Sequence, residues 1–236
     1  MPVVRTYGGL VRDGQFVVLV LVAALAMSAM FAYIAGSSFV LQDEFGLSEQ
    51  QFAIVFALGA IALIGASQLN VVLLGHFTPV RIVISALSAA VVAALVMTIL
   101  AVTGVGGILG FLIPLWFVLG AVGLVMPNAP ALALSRHGEA AGTAAALLGA
   151  AQFGSGAIIA PVVGALGNDN VAVSLTMVAV SAIALLALIG VTIISARQSG
   201  RQPAQSPKAS RTIHASENSA AATAPRKTAE ASTSEV

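Results

Sequence analysis

The 236-residue chain is 58% hydrophobic and 8% charged, with a formal net charge of +1 and a mean hydropathy of +1.01. An average soluble domain is about 25% charged, so this much apolar surface calls for a bilayer, and the charge gives no pointer to a nucleic-acid partner. Cysteine is absent, which excludes disulfides, thiolate metal sites and cysteine nucleophiles.

A spanning helix needs roughly 20 apolar residues. Six stretches qualify, at about 15–36, 52–74, 80–103, 106–126, 141–166 and 171–195. They are apolar all round and lack the alternation of barrel strands. Residues 1–14 form a short segment with Arg5 and Arg12 ahead of the first helix. That helix is too long, and lacks the small-residue cleavage site, to be a signal peptide. Phe31 and Tyr33 fall near its far end, where an aromatic belt or a substrate contact accounts for them. Ser48 followed by Gln51 reads as a capping box opening the second helix. In the fourth, Pro114 lies mid-membrane, and Pro127, Asn128 and Pro130 break the near end. Trp116 reads as packing toward lipid or a cavity, or as a stacking platform for a ligand.

The fifth stretch, "AAGTAAALLGAAQFGSGAIIAPVVGAL" (140–166), is uncharged but rich in glycine. Gly142, Gly149 and Gly156 recur every seven residues, so they stack along one face with about 20° of drift per heptad. Membrane helices associate through such small residues, and the stripe reads as a groove for a neighbouring backbone. Gln152 and Ser155 add a short polar face. Pro161 removes a backbone hydrogen bond and permits a hinge. Residues 196–236 are rich in Ala, Ser, Thr and Pro without periodicity, which predicts a disordered tail.

Lys and Arg set the orientation. Arg5, Arg12, Arg81, Arg136, Arg197 and Arg201 all fall on one side of the six spans, while Asp43, Glu44, Glu49 and Asp169 occupy the other. Both termini are therefore expected in the cytoplasm of a multi-pass plasma-membrane protein. No Asp, Glu, Lys, Arg or His falls at mid-depth, so the usual mark of ion coupling is missing. Ser155 has no histidine base at its depth, and no phosphate-binding G-x-x-x-x-G-K-[ST] loop or metal-ligand cluster occurs. An enzyme is not expected, nor a cofactor or metal.

Several segments carry a resemblance. "FAYIAGSSFVLQ" (31–42), "FGLS" (45–48) and "QFAIVFALGA" (51–60) resemble the helix 7–loop–helix 8 region of the bicyclomycin-resistance-type (Bcr/CflA) drug efflux family of the major facilitator superfamily. "AGTAAALLGAAQFGSGAIIAPVVG" (141–164) is similar to its helix 11, and "PNAPALAL" (127–134) to the inner end of its helix 10. "GGLVRDGQF" (8–16) is similar to the approach to helix 7. The turn "LLGHFTPVR" (73–81) departs from the family, having Gly75 and His76 where basic residues are common. That puts a gating salt bridge there in doubt.

The resemblance covers about 5–195 and implies an all-α membrane protein: six transmembrane helices forming one half-bundle, helices 7–12, of a major facilitator fold. It implies the C-terminal half of a proton-coupled multidrug or small-molecule antiporter of the cell inner membrane, with acidic coupling residues in the other half. Met1 falls in what resembles the central loop, so the chain is expected to be a fragment or truncated form whose partner is the missing N-terminal half-bundle. A half-size transporter working as a homodimer, and a non-transporting membrane scaffold, are the alternatives. By resemblance the substrate cavity is lined by Tyr33, Gln68, Asn128 and Gln152, with Phe31 and Phe56 as apolar contacts. A small hydrophobic or amphiphilic substrate suits such a set. Gly142, Gly149, Gly156, Pro114 and Pro161 serve packing and hinging beside it, with membrane lipid around.

Overall fold

A computed structural model describes residues 8–135 and 140–199, with side chains through residue 194. Arg5, Arg136, the side chain of Arg197, and the expected tail beyond 199 lie outside the described residues. Six helices span Gly14–Ser38 (α1), Glu49–Leu74 (α2), Pro79–Thr103 (α3), Gly107–Leu134 (α4), Ala141–Ala165 (α5) and Asn170–Ser199 (α6). All six are long and apolar enough to cross a membrane, and no strand occurs among the described residues. Arg12 and Arg81 mark one end of the bundle; Asp43, Glu44, Glu49 and Asp169 mark the other. These are the basic and acidic ends of the bundle.

Local chemistry starts the helices. Asp13 Oδ1 accepts from the backbone N–H of Gln15 (2.9 Å) and Phe16 (3.3 Å) at the head of α1. Ser48 and Gln51 form the anticipated capping box, which starts α2 at Glu49 rather than 52. The Ser48 N–H donates to Gln51 Oε1 (3.0 Å) and the Gln51 N–H to Ser48 Oγ (3.3 Å). Ser48→Ala is expected to cost about 1 kcal/mol, read as a lowered unfolding midpoint in detergent; an unchanged midpoint contradicts this role for the cap.

Two boundaries differ from the sequence reading. The first span does not stop at 36 but continues as a π-helix over Phe39–Glu44. Val40 and Leu41 are fully buried among Met97, Phe111, Leu115 and Val163, and that packing holds the chain helical until Gly46 turns it at φ 70°. Nor do Pro127, Asn128 and Pro130 break the fourth helix, which runs on to Leu134. Each proline removes a single N–H donor. Val125, Ala129 and Ala133 are almost wholly buried along this stretch, and Asn128 Nδ2 donates to the Leu124 carbonyl (2.7 Å).

The packing order follows from the small residues. α1 and α4 contact each other; α2 and α3 pack on α4, and α5 packs on α1. α6 also lies on α1, where a side chain at Gly36 would collide with Val173. Toward the basic end the core holds Phe16, Leu19, Val22, Leu87, Val125 and Leu188. Toward the acidic end it holds Tyr33, Leu41, Met97, Phe111, Leu115 and Met177. Within the apolar stretch of each span, 61% is buried for α1 and 56% for α4, against 6% for α2 and 22% for α5. α2 and α5 therefore leave most of their surface uncovered by the described residues.

Among the described residues no neighbouring backbone enters the glycine stripe of α5. Only Gly156 is met, and by the Phe31 ring rather than a backbone; Gly142 and Gly149 have nothing within 4 Å. α5 buries Ala144, Leu148, Gln152 and Gly156, a row of every fourth residue. A row of every fourth residue turns about 40° per step one way and the seven-residue repeat about 20° the other, so Gly149 and Gly142 diverge from that row.

Candidate functional site

The expected site residues fall into separate settings. Tyr33 is 6% exposed. Its ring stacks on Phe56 at 5.1 Å and 11°, and its hydroxyl donates to the Phe56 carbonyl at 3.3 Å. Ten residues of helix separate it from Glu44. Tyr33 and Phe56 join α1 to α2, over Gly59, whose missing side chain makes room for the phenol.

Asn128 does not face a cavity. It is 3% exposed, beside Asn70 at 4%, and its Nδ2 donates to Asn70 Oδ1 at 2.6 Å. The pair ties α2 to α4 toward the basic end. Asn70 was missed because a lone Asn in "LNVVLLG" has no pattern around it; the only signal was a second carboxamide at the same end of a neighbouring span. Gln68, on the same helix, is exposed.

Phe31 and Gln152 belong to the α1–α5 contact. Phe31 fills the space over Gly156 and meets Phe153 edge to face at 6.5 Å. Ser155 Oγ donates to the Ala24 carbonyl and the Gln152 carbonyl, both at 2.9 Å. Gln152 sits eleven residues into the 25-residue α5 and is 9% exposed. No fully buried side-chain polar atom lacks a partner, and no hydrogen bond from the Gln152 amide is found among the described residues. Its stem is thus buried and its polar tip reaches the surface of the bundle at mid-helix, next to the open backbone at Gly149.

Spaces also open beside α4, one against α1 and α2 and another against α2 and α3. One of ≈ 240 Å³ is lined by Tyr33, Val55, Gly59 and Trp116 among others. Another of ≈ 540 Å³ is lined by Gly65, Leu69, Ala89, Trp116 and Gly120 among others. Trp116 borders both, so it faces crevices rather than core. Pro114 is buried and Pro161 exposed. No group of three or more His, Asp or Glu that could hold a metal occurs among the described residues.

These features define a polytopic helical membrane protein with two under-covered spans and a polar side chain at mid-depth. No family model matches the chain. Over 192 residues it is 32% identical to the uncharacterized MFS-type transporter YdgK of Bacillus subtilis (strain 168), a match covering 80% of this chain and 47% of that protein. Over 169 residues it is 31% identical to a bicyclomycin resistance protein homolog of Haemophilus influenzae (strain ATCC 51907 / DSM 11121 / KW20 / Rd), covering 70% and 42% respectively. The chain belongs to the major facilitator superfamily, among transporters of the bicyclomycin-resistance type. It spans a little under half the length of these relatives.

Proposed function

We propose that this chain is one six-helix half of a two-bundle transporter that exports small hydrophobic or amphiphilic molecules across the cell membrane, with both termini in the cytoplasm. Transporters of this superfamily carry substrate between two half-bundles near the bilayer midplane. The observation that carries the reading is Gln152, an amide with no hydrogen-bond partner among the described residues, midway along a spanning helix. Hydrocarbon cannot satisfy an amide, and leaving one bare there costs several kcal/mol. Its tip therefore faces a polar path, a substrate or a second bundle. The bare backbone at Gly142 and Gly149 supports the same view, because close approach of another helix needs such positions.

The relatives are about twice as long as the matched segment, which favours a distinct first half over a second copy as the partner. Among the described residues the charged side chains lie at helix ends, so proton coupling is assigned to that other half. The name of the H. influenzae relative, a bicyclomycin resistance protein homolog, supports drug-like cargo. In this reading Phe31 and Gln152 line the path, Gln68 lies exposed on α2, and Tyr33 and Asn128 hold the helices in place.

The test is Gln152→Leu in the transporter with both halves present. Export of at least one cargo is expected to fall about tenfold, with unfolding unchanged; one lost hydrogen bond to substrate accounts for that size. Gly149→Leu is expected to fold normally and to abolish export by blocking the second bundle. Undiminished export of every cargo by both variants contradicts the assignment.

A further inference from the structure

α2 is the least buried span, and of its residues only Gly59 and Asn70 are buried. Two polar bonds tie it to its neighbours. Near the acidic end the Tyr33 hydroxyl donates to the Phe56 carbonyl at 3.3 Å. Toward the basic end Asn128 Nδ2 donates to Asn70 Oδ1 at 2.6 Å. The two points are fourteen residues apart on α2, nearly four full turns, so both lie on one face about 21 Å apart. Between them come the closest approaches: the Tyr33 phenol over Gly59, and the Leu63 carbonyl against Gly123 of α4.

α4 is weakest where the second bond sits. Pro127 and Pro130 flank Asn128 and leave the Gly123 and Met126 carbonyls without their usual helical donors. Proline positions are where membrane helices bend. Asn128 spends its amide on both sides of this weak point, to Leu124 of its own helix and to Asn70 of α2.

We propose that Asn70 and Asn128 form a latch that couples the proline-weakened basic end of α4 to α2, with the Leu63–Gly123 contact as the pivot. While the latch is closed, the basic ends of α2 and α4 move as one body. When it opens, they part there while the Tyr33–Phe56 end stays together. The latch acts on the helices of this chain alone and does not depend on what cargo is carried.

The absence of cysteine makes a direct test possible on the chain as it stands. Nitroxide pairs are placed at Leu74 and Ala131, exposed near the basic end, and at Leu58 and Ile113, exposed toward the acidic end. Pair distances are then read by pulsed electron resonance in lipid nanodiscs. Asn70→Leu and Asn128→Leu are each expected to raise the longer-distance fraction of the basic-end pair roughly three- to tenfold, the range for one interhelical side-chain bond in a bilayer. The acidic-end pair stays unchanged, and the double variant matches the single ones because both break the same bond. Asn70→Ala, on the less buried helix, replaces any variant that does not fold. The proposal fails if the basic-end distances do not move, if both pairs loosen together, or if the two substitutions add.

Discussion

Gly123→Leu is expected to detach α2 from the bundle. A side chain at Gly123 lands on the Leu63 carbonyl and on Ala66. A backbone oxygen cannot swing aside as a side chain can, so the whole helix must retreat. Overpacking costs about 1–3 kcal/mol even where neighbours adjust, and α2 has little other burial to hold it. The expected readout is a fall in the unfolding midpoint in detergent, with new protease cleavage at the 75–78 turn. Gly149→Leu serves as control, since nothing lies within 4 Å of that position, and its midpoint should match the parent. Equal midpoints for both variants would show that α2 does not rest on α4 through this contact.

Tyr33→Ala carries the second large effect. It removes a 6%-exposed ring stacked on Phe56 and the hydroxyl bond to the Phe56 carbonyl. Large aromatic-to-alanine changes in a core cost about 3–5 kcal/mol. Tyr33→Phe keeps the ring and forfeits only the hydrogen bond, about 1 kcal/mol. Chemical unfolding in mixed micelles should rank the parent, Tyr33→Phe and Tyr33→Ala in that order. If Tyr33→Ala is as stable as the parent and loses export alone, Tyr33 is a substrate contact and its structural role is wrong.

The six spans were legible because hydropathy over roughly 20 residues is a strong signal, and the capping box at Ser48 because its two partners are three residues apart. What was not legible depended on neighbours distant in sequence. The continuation of the first span to Glu44 rests on Val40 and Leu41 finding a core built from α3, α4, α5 and α6. Local pattern suggested a loop there because Gln42, Asp43 and Glu44 are polar. The unbroken α4 likewise depends on the burial of Ala129 and Ala133, which outweighs two missing N–H donors.

The candidate site divided along the same line. Tyr33, Gln68, Asn128 and Gln152 stand out in the sequence as polar residues in apolar spans, but residue type does not reveal a partner. Asn128 found Asn70 on another helix. Gln152 has no hydrogen-bond partner among the described residues. Both are carboxamides in glycine- or proline-rich spans, and only the packing of α2 and α5 tells a clamp from an open group. Gly149 and Gly156 differ in the same way: identical in pattern, one is filled by Phe31 and the other bare.

The central claim is that the bare face of α5 meets a second helical bundle. The most direct measurement places a photo-crosslinker on a single cysteine introduced at Gly149, in membranes of the source cells, and maps the adducts by mass spectrometry. The expected result is adducts on a protein segment other than residues 8–199. Adducts on lipid alone would contradict it, because α5 would then face bilayer and the chain would not be half of a two-bundle transporter.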